Sequence, residues 1–353
     1  MKRCLQIIMI VGAGSVAFFL MVSTAFAHDP EFAPGGTSLQ TATVIEEPAI
    51  SWVYYGTLDD PQEVRYYQFA LKAGQRLYAQ LLTPREGPFP GLAVMGPGLI
   101  SQGGLPPYVE APAGGAVVVP TNEADRAEYE PFTPGAYWFP VVVDTTVSRE
   151  GAYYLAVFGD GYAGPYGVAV GYEEVFTPAS WIRLPADLLT IYAWDGGWLM
   201  ALWPGVTVLV VGAALTAWSV AGRRRKLGLS GWLMTFAGIF CLATSATVLF
   251  QMLRAGTRSG LAPEMVITAF FIAGPAVIGA LLLWLGRRDA EAPSVGTRIG
   301  ALVLGLAAFG LLAGYLVGPV LAIVAAFAPP YRGAHRSRQA RPGRTSPTSP
   351  AGL

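Results

Sequence analysis

The run from Trp198 to Ala221, WLMALWPGVTVLVVGAALTAWSVA, contains 24 residues and no charged side chain. At about 1.5 Å of rise per residue, a helix of this length crosses the ~30 Å hydrocarbon layer of a bilayer, so the stretch reads as a membrane span. Three more apolar runs follow, at 231–253, 264–285 and 299–328. The C-terminal half is therefore predicted to be an α-helical transmembrane bundle of four helices. The fourth run is longer than a span requires and must tilt or kink, with Gly318-Pro319 the expected place. Ahead of the first span, residues 176–197 mix aromatic and aliphatic side chains with Pro185, Asp187 and Asp195, which suits a short helix starting at Pro185 and lying at the bilayer surface.

Charge separates the two halves of the chain. Its 23 acidic and 23 basic residues cancel overall, but 20 of the acids lie between Asp29 and Asp195 beside only 7 basic residues, a net charge of −13. From residue 198 onward 14 basic residues face 3 acidic ones, a net charge of +11. An acidic N-terminal region would be repelled by phosphates, so no nucleic acid partner is expected. Lys2 and Arg3, an apolar run, and Ala25-Phe26-Ala27 read as a secretory signal peptide over residues 1–27, which places the acidic region on the extracytoplasmic side of the cell (plasma) membrane. The clusters Arg223–Lys226 and Arg287-Arg288 then fall inside, as the positive-inside rule requires. A fourth full span would put the basic tail, 329–353, outside against that rule, whereas a broken or re-entrant last helix would return it. The full span is the expectation, because a re-entrant segment needs protein shielding for its backbone. The tail, rich in Arg, Ser, Thr and Pro, reads as disordered.

Between residues 28 and 175 the pattern changes to short segments rich in Val, Tyr and Phe, broken by Gly, Pro and Asp. Strands are predicted at 42–45, 52–58, 64–71, 76–82, 92–95, 116–119, 136–143, 152–158 and 166–172, enough for an all-β sandwich. In the third of these, alternation is imperfect: Val64, Tyr66, Gln68 and Ala70 fall on one face, and Arg65, Tyr67, Phe69 and Leu71 on the other. A bulge or a strand buried on both sides would explain it.

The run Tyr55-Gly56-Thr57-Leu58-Asp59-Asp60-Pro61, continuing through Tyr66-Tyr67-Gln68-Phe69-Ala70-Leu71-Lys72-Ala73-Gly74-Gln75-Arg76-Leu77, resembles the opening of bacterial pre-peptidase C-terminal (PPC) domains. Gly151 to Val157 and Gly164 to Val170 resemble that family's closing Gly- and Tyr-rich strands. The resemblance covers roughly 50–171 and implies a jelly-roll-like β-sandwich. Arg65 stands where the family carries an acid, and no protease precedes the domain, so a role in protease maturation is not implied.

Few residues carry candidate chemistry. The chain has two histidines, His28 and His335, and two cysteines, Cys4 and Cys241, which excludes the usual Ser-His and Cys-His catalytic groups from the β region. No cofactor is expected. Cleavage after Ala27 would expose His28 as an N-terminal copper chelator, with Asp29 or Glu31 as further ligands. Asp59 and Asp60 with Glu63 could surround calcium, although turn formation is the simpler use of such acids. Gly310, Gly314 and Gly318, spaced by four, would form one face of the fourth helix and serve as a helix-packing seam or a contact for a membrane-protein partner. Thirteen of the 16 tyrosines lie in the β region, and neighbours such as Tyr54-Tyr55, Tyr66-Tyr67 and Tyr153-Tyr154 should point to opposite faces. One of each pair would then be exposed or at an edge, offering a surface for a polysaccharide or protein ligand.

The expected function is a membrane-anchored extracytoplasmic binding or interaction module without catalytic activity. Four helices exceed what an anchor needs, so the alternative is an auxiliary subunit of a membrane enzyme or transporter complex, and a third reading is a copper-handling protein using His28.

Overall fold

The structure, a computed structural model, describes residues 29–121, 126–175, 177–222, 227–288 and 293–329. These form two β-sheets, one curled into a half-barrel, followed by six α-helices, three of them long and apolar. The described residues divide into two compact units: one holds 29–206 with Ser245–Ala273, the other Thr207–Thr244 with 274–329.

The strands are β1 (Asp29–Glu31), β2 (Thr43–Val44), β3 (Trp52–Leu58), β4 (Val64–Leu71), β5 (Arg76–Thr83), β6 (Gly91–Gly96), β7 (Gly115–Val119), β8 (Glu128–Glu130), β9 (Gly135–Thr146), β10 (Gly151–Phe158) and β11 (Gly164–Val170). One sheet has the order β1-β3-β11-β5-β9-β8, the other β2-β4-β10-β6-β7. All nine predicted strands are present; the additions, β1 and β8, are three residues each. The two sheets share a core of Tyr54, Leu58, Leu81, Val141, Tyr166 and Val168 from one and Tyr67, Phe69, Leu92, Leu155 and Val157 from the other.

Strand β4 pairs with β10 in unbroken register from Val64↔Phe158 to Leu71↔Gly151, so it has no bulge there, and its first half, Val64 to Tyr67, is buried on both sides. Tyr67, Phe69 and Leu71 enter the shared core, while Val64 and Tyr66 pack under the segment carrying Leu105, Tyr108 and Val109. The bulge lies elsewhere. Leu81 pairs with Val141 but Thr83 with Trp138, so β9 carries one extra residue around Phe139-Pro140. Such an insertion shifts the phase of the strand. Val141 therefore faces the shared core, whereas Tyr137 and Trp138 are re-aimed into two other apolar clusters.

Tyrosine burial differs from the expectation of one exposed or edge ring per pair. Tyr54, Tyr55, Tyr66, Tyr67 and Tyr153 are all at most 8% exposed, and Tyr154 is half-buried against the second cluster. Three of these hydroxyls have internal partners: Tyr67 Oη meets Tyr166 Oη at 2.9 Å and accepts from the Gly35 N–H, Tyr66 Oη accepts from the Glu110 N–H, and Tyr153 Oη donates to the Pro97 and Arg149 carbonyls. These rings pin loops onto the sheets, which is what a buried phenol must do to recover its hydrogen bonds.

The helices are α1 (Pro178–Gly196), α2 (Trp198–Ala221), α3 (Leu229–Ser259), α4 (Met265–Arg288), α5 (Val295–Gly310) and α6 (Val317–Phe327). Helix α1 begins seven residues before the predicted start at Pro185, capped by Thr177, whose Oγ1 accepts from the Ser180 N–H at 3.1 Å. It buries Ile191 and Trp194 against Val53, Tyr55, Leu82, Tyr137 and Ala169, covering the outer face of one sheet. Trp194 stacks edge-on with Tyr55 at 4.9 Å and donates from Nε1 to the Gly56 carbonyl at 3.0 Å. The predicted domain boundary at 175 thus precedes a helix that belongs to the β core.

In the other unit, α3 and α4 approach through glycines seven residues apart. A Cβ on Gly238 would sit 2.6 Å from the Gly279 carbonyl oxygen, and one on Gly286 2.9 Å from the Gly231 carbonyl oxygen. The fourth apolar run is not one helix. It breaks after Gly310, with Leu312, Gly314, Tyr315 and Leu316 in the left-handed region, and resumes as α6. Arg298 near the start of α5 donates to the carbonyls of Ala326 and Ala328 at the end of α6, and a Cβ on Gly305 would contact Ala322 and Ile323, so α5 and α6 form an antiparallel hairpin. Four full spans are therefore replaced by three long helices and a hairpin of two short ones.

Because α1 covers Tyr55, Tyr137 and Ala169, residues 28–175 expressed alone should bind a hydrophobic dye strongly and self-associate in sedimentation experiments. Extending the fragment to residue 197 should weaken both effects; equal behaviour of the two fragments would show that α1 does not complete the domain.

Candidate functional site

The polar centre of the first unit forms where α1 ends. Asp195 is the penultimate residue of α1, and its side chain is only 2% exposed. A carboxylate there opposes the negative end of the helix dipole and loses its hydration, so it needs strong compensation. The last turns of α3 supply it. Arg254 Nη1 lies 2.9 Å from Asp195 Oδ2, while Arg258 spans both oxygens, Nη1 to Oδ1 at 2.9 Å and Nη2 to Oδ2 at 2.8 Å. The bidentate fork is the strongest form of this pair. The spacing of four puts both arginines on one face of α3, where their positive charge also suits the helix C-terminus.

Each arginine then reaches further. Arg254 Nη2 donates to the Asp195 backbone carbonyl at 3.2 Å, satisfying one of the open carbonyls at the end of α1. Arg258 Nη1 donates to the Pro84 carbonyl at 2.8 Å, just past β5. Gln251, one turn earlier, donates from Nε2 to the Met200 carbonyl of α2 at 2.9 Å. Glycine makes room for this assembly: a Cβ on Gly196 would lie 2.5 Å from Arg254 Nη1, and Gly197, at φ +85°, turns the chain from α1 into α2. One carboxylate thus fastens β5, α1 and α3.

The opposite end of α1 is held to β1. Asp29 Oδ2 accepts from Ser180 Oγ at 2.7 Å, and Arg183 lies 3.3 Å from Glu31 and 3.7 Å from Asp29. A third junction joins the β8–β9 turn to α4. Thr268 Oγ1 donates to the Pro131 carbonyl at 2.8 Å and meets Tyr129 Oη at 2.7 Å, the Phe132 and Phe271 rings lie 6.3 Å apart, and Tyr129 and Trp138 share an apolar cluster with Ala255 and Met265.

The residues proposed from sequence fall elsewhere. His28 lies outside the described residues; Asp29 and Glu31, the acids considered beside it, are engaged by Ser180 and Arg183. Asp59 and Asp60 sit in the turn before β4, where Asp60 Oδ1 accepts from the Gln62 N–H at 2.8 Å and the Asp59 N–H donates to Glu63. Glu63 is also ion-paired with Arg65. Among the described residues, no three His, Cys, Asp or Glu side chains converge as a metal cluster would.

Gly310, Gly314 and Gly318 do not share one helix face: Gly310 ends α5, Gly314 lies in the break at φ +70°, and Gly318 opens α6. Gly314 and Gly318 nevertheless lie against α3, since a Cβ on either would stand 3.4–3.5 Å from Cys241 Sγ. The Gly314 N–H donates to Thr244 Oγ1 at 2.8 Å. Sequence reading missed Asp195, Arg254 and Arg258 as a group. The available signal was a lone acid just before the first span and two arginines four apart just after the second.

No protein-family model matches the chain, and no curated protein matches it either. The arrangement therefore has to be read from its own chemistry, which is that of an ionic clamp at helix ends.

Replacing Asp195 with Asn should destabilise the detergent-solubilised protein by about 3 kcal/mol, because two arginines lose a buried counter-charge. The same change at Asp144, whose bidentate pair with Arg76 is solvent-exposed, should leave the melting temperature nearly unchanged. Thermal unfolding of both variants followed by tryptophan fluorescence checks the contrast.

Proposed function

We propose that this protein is a non-enzymatic accessory component of a membrane complex, in which the β region is fastened to the end of α3 instead of riding as a binding module on a passive tether. The observation that carries this reading is the Asp195 clamp, with Arg258 bonded both to that carboxylate and to the Pro84 carbonyl. A tether would leave the β region free to move, and a buried ion cluster between it and α3 works against such freedom. The exposed tyrosine face that favoured a polysaccharide or protein ligand has lost its support, since those rings fill cores. For the sheets alone, the PPC-like, jelly-roll-like reading is retained as a proposal. It is supported by the way consecutive strands alternate between the two sheets from β1 to β6 and from β9 to β11.

Orientation follows from charge. With the β region extracytoplasmic, Arg223–Lys226 and Arg287-Arg288 fall on the cytoplasmic side. The α5–α6 hairpin brings the chain back at Ala328 to the end where Arg298 lies, so Arg332, Arg336, Arg338, Arg341 and Arg344 follow on that same side. The positive-inside rule is then satisfied without exception in the tail.

Two measurements test these readings. On native gels of mildly solubilised membranes, the protein should migrate in an assembly containing a different membrane protein that survives purification and is lost in Asp195→Asn; a monomer in native membranes would end the accessory reading. A cysteine placed at Ser337 should resist a membrane-impermeant maleimide in intact cells and react after permeabilisation. Labelling in intact cells would put the tail outside.

A further inference from the structure

The six-stranded sheet has an edge that the rest of the fold leaves open. Strand β9 has 12 residues, and β8 covers only Gly135 to Tyr137 of them. On its other side β9 pairs with β5, from Arg76↔Thr146 to Leu81↔Val141. The Val147 N–H donates to the Gln75 carbonyl at 2.9 Å and the Val147 carbonyl accepts from the Gly74 N–H at 2.8 Å, so the main-chain groups of residue 147 face the β5 side. Successive residues of a strand face opposite ways. The groups of Val141, Val143 and Thr145 therefore face β5, while the N–H and C=O groups of Val142, Asp144 and Thr146 point away from it. No described residue pairs with that second set. Val142, Asp144, Thr145 and Thr146 are all exposed.

Among the described residues the other edges are short or covered. Strands β1 and β8 have three residues each and β2 has two. Strand β7 is covered by Gln102, whose N–H donates to the Ala116 carbonyl at 3.1 Å and whose carbonyl accepts from the Val118 N–H at 2.9 Å. A longer free edge is commonly guarded by lysine, proline or another charge, because unpaired main-chain groups invite a further strand. Between Val141 and Thr146, about 20 Å of strand, there is no lysine or proline, and five of the six residues are β-branched. The single charge, Asp144, is matched by the bidentate Arg76.

The direction of β9 decides between two occupants. Pro84, just past β5, accepts from Arg258 of α3, and the turn before β9 meets α4 through Pro131 on Thr268 and Phe132 on Phe271. Arg76 and Thr146 stand at the far ends of the same two strands, so β9 leads away from the helix ends. An isologous contact between two β9 edges would be antiparallel, with its two-fold axis normal to the sheet. That rotation reverses the strand and the helices with it, so two copies in one bilayer cannot make the contact. The occupant must come from a different protein.

We propose that the open edge of β9, Val141 to Thr146, receives an extended segment of the partner protein as an added strand, held by main-chain hydrogen bonds. This rests on the accessory reading above and names its docking surface. Val143, with Leu99 and Val119, lies at the margin of the shared core, so the segment's side chains on that face are apolar. Those beside Val142 and Asp144 face water and are polar. A region with a net charge of −13 favours a segment that is neutral or basic.

Asp144→Pro tests this on the full-length protein in its native membranes. Proline removes the outward N–H and leaves the bonds to β5 in place, and its fixed φ is tolerated on an edge. Asp144→Asn keeps the N–H and controls for the lost carboxylate. On native gels the assembly should persist in Asp144→Asn and fall at least about tenfold in Asp144→Pro, with both variants melting close to wild type. An assembly undiminished in Asp144→Pro would overturn the edge proposal and leave the accessory reading standing, whereas a wild type without any assembly would end both. If Asp144→Pro does not fold, residue-resolved hydrogen exchange on the wild type decides the matter. Protection at the Val142, Asp144 and Thr146 amides should be at least about tenfold higher in the isolated assembly than in the protein dissociated from it, with Val143 and Thr145 slow in both. Equal exchange of the outward amides in the two forms would overturn the proposal.

Discussion

A single buried carboxylate governs how the first unit is built. Asp195 is out of water at the wrong end of a helix, and removing a carboxylate from water costs several kcal/mol unless partners replace its hydration. Meeting that demand explains why α3 continues past the predicted end of its span at 253 to Ser259: the additional turns carry Arg254 and Arg258. It also explains the glycine at 196, where any side chain would displace a guanidinium. A helix of 31 residues is about 46 Å long, so α3 outreaches the ~30 Å hydrocarbon layer, and its last turns are available to bind the β region.

The covering of sheet faces is the second constraint. An antiparallel sheet commonly leaves one face to solvent, yet here the first half of β4 is buried on both sides and β9 sends neighbouring residues into different clusters. The loop carrying Leu105 to Val109 covers one outer face, and α1 with the ends of α3 and α4 covers the other. Tyrosine suits such doubly covered strands because its ring fills a core while its hydroxyl reaches a loop. The high tyrosine content is therefore structural for the most part.

Strands were legible because Gly, Pro and Asp punctuate runs of β-branched and aromatic residues, a local signal. The exceptions follow physically: Glu128-Tyr129-Glu130 is a strand only because β9 and α4 lie beside it, and nothing local in three residues conveys that. The interruption of the fourth run was expected at Gly318-Pro319, yet the break lies at 311–316, where leucine and tyrosine occupy left-handed positions and leucine is among the better helix formers. The clamp was invisible for another reason: Asp195 stands 59 and 63 residues from its arginines, and no periodicity links them. The imperfect alternation of β4 left a bulge and a strand with two buried faces open as explanations, and which segment would cover the second face could not be inferred.

The hairpin has a consequence for the lipid around it. Helix α5 has 16 residues and α6 has 11, giving lengths of about 24 Å and 16 Å against a hydrocarbon layer of ~30 Å. Val317, Val320, Val324 and Phe327 are exposed apolar side chains on α6, so its outer face needs acyl chains or another hydrophobic surface beside it. Lipids next to a segment this short must shorten or tilt, which imposes a penalty of hydrophobic mismatch that grows with bilayer thickness. The protein should accordingly partition toward thinner membranes, or gather other short or broken helices around that side, and bilayer thickness itself becomes a variable that acts on its assembly.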